Sequence, residues 1–379
     1  MFDYEQLKFI WWALIGVLFI GFAVTDGFDM GVGALLPIIG KDDTERRIMI
    51  NTIAPHWDGN QVWLITGAGA LFAAWPTVYA VSFSGFYLAM IIVLLALYLR
   101  PVGFDYRSKI DNSLWRKAWD WALFVGGLIP PLIIGVAFGN LLEGVPFTFD
   151  EFLRVTYHGS FNDLLNPFGL ISGIMCVMMF VMQGACWLQM KTEADLRVRS
   201  AKTAQIAGFL LVILFAIAAY WLINDVPGYV VTSVIDHNML SDPTQKTVVI
   251  QAGAWLTNFE KYPLTIIFPV LVLLMPLLVI ICTKFNRSGW AFLFSSLAIV
   301  GVIVNIGFMM FPFVMPSSID PNVSLTMWDA TASQLTLDVM TVAAVVFVPI
   351  VLGYTVWSYY KMYGRLNRDY IDNNTSSLY

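Results

Sequence analysis

Apolar stretches of about 20 residues recur along this chain, and that length fixes its class of fold, because a helix needs roughly that many apolar residues to cross a bilayer core. They fall near residues 8–29, 52–74, 77–99, 120–141, 164–189, 204–223, 263–283, 290–312 and 337–360. Only 12% of the 379 residues are charged, whereas a soluble domain carries about a quarter. The expectation is an all-α, polytopic membrane protein with about nine transmembrane helices in bundles, a single integral domain over residues 1–379. The first helix has room to run on toward Gly40, and the second and third meet at the charge-free turn Trp75-Pro76-Thr77, a tight hairpin.

Asp3 and Glu5 precede the first apolar run where a secretory signal would carry basic residues, so that helix is expected to stay in the mature protein. Cys176, Cys186 and Cys282 all lie in apolar segments. The first two, ten residues apart on one helix, are about 15 Å from each other. This is no disulfide framework.

Basic residues set the expected orientation, because Lys and Arg are retained on the cytoplasmic side. With the N-terminus periplasmic and the C-terminus cytoplasmic, the inner segments 41–51, 100–119, 190–203, 284–289 and 361–379 hold 17 of the 21 Lys and Arg. The outer loops near 142–163, 224–262 and 313–336 are acidic and rich in turn residues, open to docking a partner or to serving as exposed linkers.

Against that apolar background a few charges fall at membrane depth, where an ionisable group is costly and marks a functional path or a buried pair. They are Asp26 and Asp29 in the first helix, Asp58 in the second, Arg100 ending the third, Asp120 opening the fourth and Asp338 opening the ninth. Topology puts Asp29, Asp58, Arg100 and Asp120 in the cytoplasmic half, with Asp58 about 10 Å along its helix. Asp338 starts from the other side. Two readings stand together: a structural ion pair of Arg100 with Asp29 or Asp58, and a proton intake in which carboxylates at staggered depth pass protons with His56, Asn60 and Gln61 as hydrogen-bonding neighbours. Gly27, Gly31 and Gly33 suit close approach of a neighbouring helix, and Asp26 and Asp29 share nearly one face.

Ligands for a redox group are scarce. His158 and His237 fall in outer loops, leaving His56 as the one candidate haem contact, against the plainer reading of a hydrogen-bonded core histidine. The 17 methionines suit apolar filling. Trp11, Trp12, Trp75, Trp115, Trp119 and Trp121 suit an interfacial aromatic belt. There is no phosphate-binding glycine loop and no metal cluster, and nothing suggests nucleic-acid binding.

The runs Thr25-Asp-Gly-Phe-Asp-Met-Gly-Val-Gly33, Pro55-His-Trp-Asp-Gly-Asn-Gln-Val-Trp63 and Leu99-Arg-Pro-Val-Gly-Phe-Asp105 closely resemble subunit II of the cytochrome bd quinol oxidases, over essentially the whole chain. The resemblance implies an inner-membrane heterodimer, often with a small single-helix accessory subunit, that oxidises ubiquinol or menaquinol near the outer face, reduces dioxygen to water and generates proton motive force. It implies that heme b and heme d are ligated by subunit I, which also carries the quinol loop, and that this chain is not catalytic alone. Asp29, Trp57, Asp58, Arg100 and Asp120 match the family's polar cluster, with Asp26 as an added member. Two other classes stay open on the residues: a proton-coupled secondary transporter, and a purely structural partner subunit.

Overall fold

The fold was analysed in a computed structural model that describes residues 2–374 and 378. In chain order its helices are α1 (Tyr4–Ile39), α2 (Asp43–Ile53), α3 (Trp57–Ala74), α4 (Pro76–Gly85), α5 (Tyr87–Tyr106), α6 (Ser113–Glu143), α7 (Phe161–Leu164), α8 (Pro167–Lys191), α9 (Ala194–Asn224), α10 (Thr257–Lys261), α11 (Ile267–Lys284), α12 (Ser288–Met310), α13 (Gln334–Lys361) and α14 (Arg368–Asn373). Helix starts follow capping chemistry, in which a polar side chain accepts from an otherwise unpaired N–H. Asp3 forms a capping box with Gln6 at α1, Asn112 caps α6, Asn166 caps α8 just before Pro167, and Ser333 caps α13.

Among the described residues, eight helices are long and apolar enough to cross a membrane. The ninth expected crossing is α3, whose first turn reads Trp57-Asp-Gly-Asn-Gln61 and is too polar to qualify by composition. The chain ends require it nonetheless. At the start of α1, the Tyr4 hydroxyl donates to the Ala332 carbonyl at 2.8 Å, and the Ala332 N–H donates to Ala74 at the end of α3. At the opposite end of the bundle α14 lies on α2, where Arg368 meets Glu45 at 3.4 Å. Ends on opposite sides demand an odd number of crossings, and α3 supplies it.

One group of helices, α1, α3, α5 and α6, packs against a second, α8, α9, α11 and α12. Helix α8 is the hub, with 72% of its most apolar window buried, whereas for α13 the share is 6%. Backbones touch where glycine permits it. A Cβ on Gly31 would lie 2.0 Å from the Phe180 carbonyl oxygen of α8, and one on Gly127 of α6 would lie 2.4 Å from the Met30 carbonyl oxygen of α1. The small-residue spacing read in α1 thus brings α6 and α8 to its backbone.

The three long loops are not bare linkers. Each carries one antiparallel strand pair: β1 (Phe147–Phe149) with β2 (Val155–Tyr157), β3 (Gly228–Val231) with β4 (Val248–Gln251), and β5 (Phe313–Met315) with β6 (Leu325–Thr326). They join into a cap over one end of the bundle, through a bridge of Val145 with Ser317 and an ion pair of Lys246 with Asp329 at 2.9 Å. Burial pushes the Asp329 carboxyl up and the Lys246 ammonium down, and each is opposed by the charge of the other. Trp11 and Trp75, read as belt residues, are core residues here, and Trp11 donates to the Leu337 carbonyl at 3.2 Å.

Candidate functional site

The membrane-depth charges resolve into two layers. The inner one lies where α1, α3 and α5 meet. Arg100 donates to Asp26 through both ends of its fork, at 3.0 Å (Nη1 to Oδ2) and 2.5 Å (Nη2 to Oδ1), and both side chains are buried. Two parallel hydrogen bonds between opposite charges are the strongest arrangement these groups can form. Arg100 reaches Asp26 past Gly126 of α6, where a Cβ would sit 3.0 Å from the arginine Cγ. Its partner is therefore Asp26, in place of the Asp29 or Asp58 expected. Arg100 also lies within α5, which continues to Tyr106, and does not end the helix.

Asp29 is equally buried but, among the described residues, carries no ion pair. The Asn60 amide donates to its Oδ2 at 2.8 Å, and the Tyr359 hydroxyl of α13 donates to the Asn60 carbonyl oxygen at 2.7 Å. The carboxylate sets the amide: an ionised Asp29 can only accept, so Asn60 turns its NH2 to it and its oxygen to the Tyr359 hydroxyl. The second oxygen, Oδ1, has no hydrogen-bond partner among the described residues. One carboxylate oxygen is thus held and the other is not.

Asp58 stands apart. It is two residues from Asn60 and so on another side of α3, exposed, with no hydrogen bond or ion pair among the described residues. Trp57 beside it is half-buried against the Phe104 ring, with centroids 5.3 Å apart. His56 is buried with its ring stacked on Tyr359, 4.1 Å between centroids and 6° between planes, and edge-on to Trp187.

The outer layer lies nearer the α2 end. Asp120, two turns inside α6 and not at its opening, accepts from Arg107 Nε at 2.6 Å and from Arg46 at 2.8 Å. Arg107 also pairs with Asp43 of α2 at 2.9 Å. Seven residues separate Arg100 from Arg107, about 10 Å along one face of α5. Asp120 therefore belongs with Arg107, one layer out from Asp26. Asp338, half-buried in the first turns of α13 at the cap end, joins neither layer. Sequence reasoning missed Tyr359, Arg46 and Asp43, and passed over Arg107 as a loop residue. The seven-residue repeat of arginine was the one available signal.

A family model described as cytochrome bd terminal oxidase subunit II matches residues 7–362. The chain belongs to that family. It is 59% identical over 379 residues, all of both chains, to the cytochrome bd-I ubiquinol oxidase subunit 2 of Escherichia coli K12. The probable cytochrome oxidase subunit 2 of Haemophilus influenzae is likewise 59% identical over the full length of both. The cytochrome bd ubiquinol oxidase subunit 2 of Bacillus subtilis is 34% identical over 365 residues, 96% of this chain and 97% of that one. The fold matches a chain of the bd oxidase structure from Geobacillus thermodenitrificans with a TM-score of 0.69 at 13% identity, covering 94% of this chain and 99% of the other. The protein is thus a multi-pass inner-membrane subunit of a terminal oxidase, and subunit I is its partner.

The family implies haem and quinol in the assembled oxidase. The residues of this chain do not fit a haem ligand set. One face of the His56 ring is covered by Tyr359 and its edge by Trp187, whereas an axial ligand must aim a nitrogen into an open, porphyrin-sized space. His158 hydrogen-bonds Thr148 in the first hairpin, and His237 pairs with Glu5 and stacks on Trp328. Among the described residues no three His, Cys, Asp or Glu side chains converge as metal ligands.

Proposed function

We propose that this chain is the proton-handling subunit of a ubiquinol oxidase. Heme b and heme d are held by subunit I, where quinol is oxidised and dioxygen reduced to water. The α2 end faces the cytoplasm and the loop cap faces the periplasm, a reading supported by the basic bias of the α2 side. Protons taken up from the cytoplasm and released outside on quinol oxidation then generate proton motive force. The remaining neighbours are a small single-helix accessory subunit and the surrounding lipid and quinone.

The observation that carries this reading is the division of labour among the aspartates. Asp26 is fully committed to Arg100, a clamp between α1 and α5. Asp29 keeps one oxygen free, and Asp58 is turned out of the chain on the same turn of α3 that carries Asn60. A carboxylate facing outward at membrane depth needs cover by protein or by water inside protein. Subunit I is the natural cover, so Asp58 sits where protons would pass between the subunits. A structural role alone accounts for Asp26 and Arg100, but not for the free oxygen of Asp29 or the outward Asp58.

The test is Asp58→Asn in the whole oxidase. Oxygen consumption and coupled proton uptake should fall on the order of tenfold with haem content retained. Full turnover with full haem would remove Asp58 from the path.

A further inference from the structure

Helix α8 carries a second polar line, on the side away from the aspartates. Gln183, Cys186 and Gln189 follow at three-residue spacing and are all fully buried. The Gln183 amide donates to the Val24 carbonyl of α1 at 3.1 Å and to Ser296 of α12 at 2.9 Å. The Gln189 amide donates to the Thr283 carbonyl of α11 at 3.1 Å, and Gln205 of α9 reaches the Thr283 hydroxyl at 3.3 Å. Cys186 lies beside the hydroxyl of Ser295.

The amide orientations are fixed, because rotating either glutamine would set its oxygen against a carbonyl oxygen that cannot donate. In that fixed orientation Gln183 Oε1 and Gln189 Oε1 have no hydrogen-bond partner among the described residues, while the Ser295 hydroxyl lies against Cys186. Lipid offers no donor at this depth, and buried carbonyl oxygens in native proteins are almost always satisfied by protein or by water.

We propose that the seam between α8, α11 and α12 is an internal water site. Water molecules donate to the two glutamine oxygens and run past Cys186 and Ser295, a line about 9 Å long from Gln189 to Gln183 at the helical rise. Gln205, half-buried, and Thr283 stand at its outer end near the α2 side. Its inner end is stopped by α1, where Gly184 packs on Gly31. Asp29 lies on a different side of α1, toward Asn60. The line is therefore a dead end, filled from one side and separate from the aspartate layers.

Two cysteines on the same helix provide the test. Cys186 is in the seam, whereas Cys176 packs against Gly135 of α6, and Cys176 is the more exposed of the two, at 8% against 0%. Hydroxyl radicals generated by a millisecond X-ray pulse arise from bound water as well as bulk water. In the intact oxidase Cys186 should be oxidised several-fold faster than Cys176, and Gln189→Leu should slow Cys186 toward the Cys176 rate. Equal rates in the wild-type complex, or a faster Cys176, would overturn the proposal even if the variant does not assemble. In a density map that resolves other internal waters, peaks should lie within hydrogen-bond reach of both Oε1 atoms. A dry seam in such a map would also end it.

Discussion

Arg100 and Asp26 should behave as one energetic unit. Arg100→Met leaves a buried carboxylate without its two donors, and Asp26→Leu leaves a buried guanidinium without its acceptor. The pair makes two charge-assisted hydrogen bonds, each worth about 1.5–3 kcal/mol. Exposure of 3% for the arginine side chain and 0% for the aspartate leaves no solvent screening to discount. Each single variant should therefore lose about 3–5 kcal/mol, the usual cost of breaking a buried pair by removing one partner. The double variant removes both charges together, and a buried pair replaced by apolar groups of similar volume is often close to neutral. The assay is unfolding of the purified oxidase followed by haem absorbance, with wild type, both singles and the double compared as a thermodynamic cycle. A coupling energy of about 3 kcal/mol or more is expected. If the two losses simply add, with coupling under about 0.5 kcal/mol, the clamp carries no energy of its own and the reasoning fails.

Other outcomes follow from single contacts. Gly31→Ala would drive a Cβ to 2.0 Å from the Phe180 carbonyl oxygen, so α1 and α8 must separate at a cost of about 1–3 kcal/mol or more; an unchanged thermal midpoint would contradict the close crossing. Tyr359→Phe keeps the stacking on His56 but removes the hydrogen bond to Asn60, about 1 kcal/mol. Amide exchange over the last turns of α13 should rise while that over α8 does not. On the α2 side, burial would push the Asp42 carboxyl up, but the hydrogen bonds from Arg368 and from the Glu45 backbone N–H, with the charges of Arg368 and Arg199, together outweigh it and hold it below its usual range. Its contribution to docking α14 is then complete above the ordinary carboxylate pKa of about 4 and lost as pH falls through the lowered value. A probe on α14 should gain mobility only in that acid window, and Arg368→Gln should loosen it at neutral pH by no more than about fivefold, since both side chains are half exposed.

The bundle was legible because hydrophobic length and the Lys/Arg bias are one-dimensional properties of the chain. Crossings could be counted without knowing what packs on what, and even α3 was visible, although its polar first turn hides it from a purely compositional criterion. The carboxylates were legible as unusual for the same reason. What sequence could not supply was azimuth. Asp26 and Asp29 share nearly one face, so depth alone favoured Asp29 for Arg100, whereas helix packing turned Asp26 to α5 and Asp29 to α3. Asp58 and Asn60, two residues apart, were similarly treated as neighbours although they point different ways. Tyr359 comes from 299 residues beyond Asn60, and no local pattern marks one tyrosine among the 15 in the chain as the one that turns inward.

Helix α13 touches the rest of the chain mainly at its two ends, through Leu337 and Thr341 on Trp11 and through Tyr359 on Asn60 and His56. The hydrogen-bond set around Asp29 is therefore finished only when α13, which follows the bundle's other crossings in the chain, joins them, by a segment whose remaining surface is free to face lipid or another subunit. A chain cut short between α12 and α13 would keep its hub and its glycine crossings and still lack the phenol that donates to Asn60. Completion of the polar centre thus reports the docking of α13, and a quality-control protease that senses a loose Asn60 region would in effect be checking for that helix.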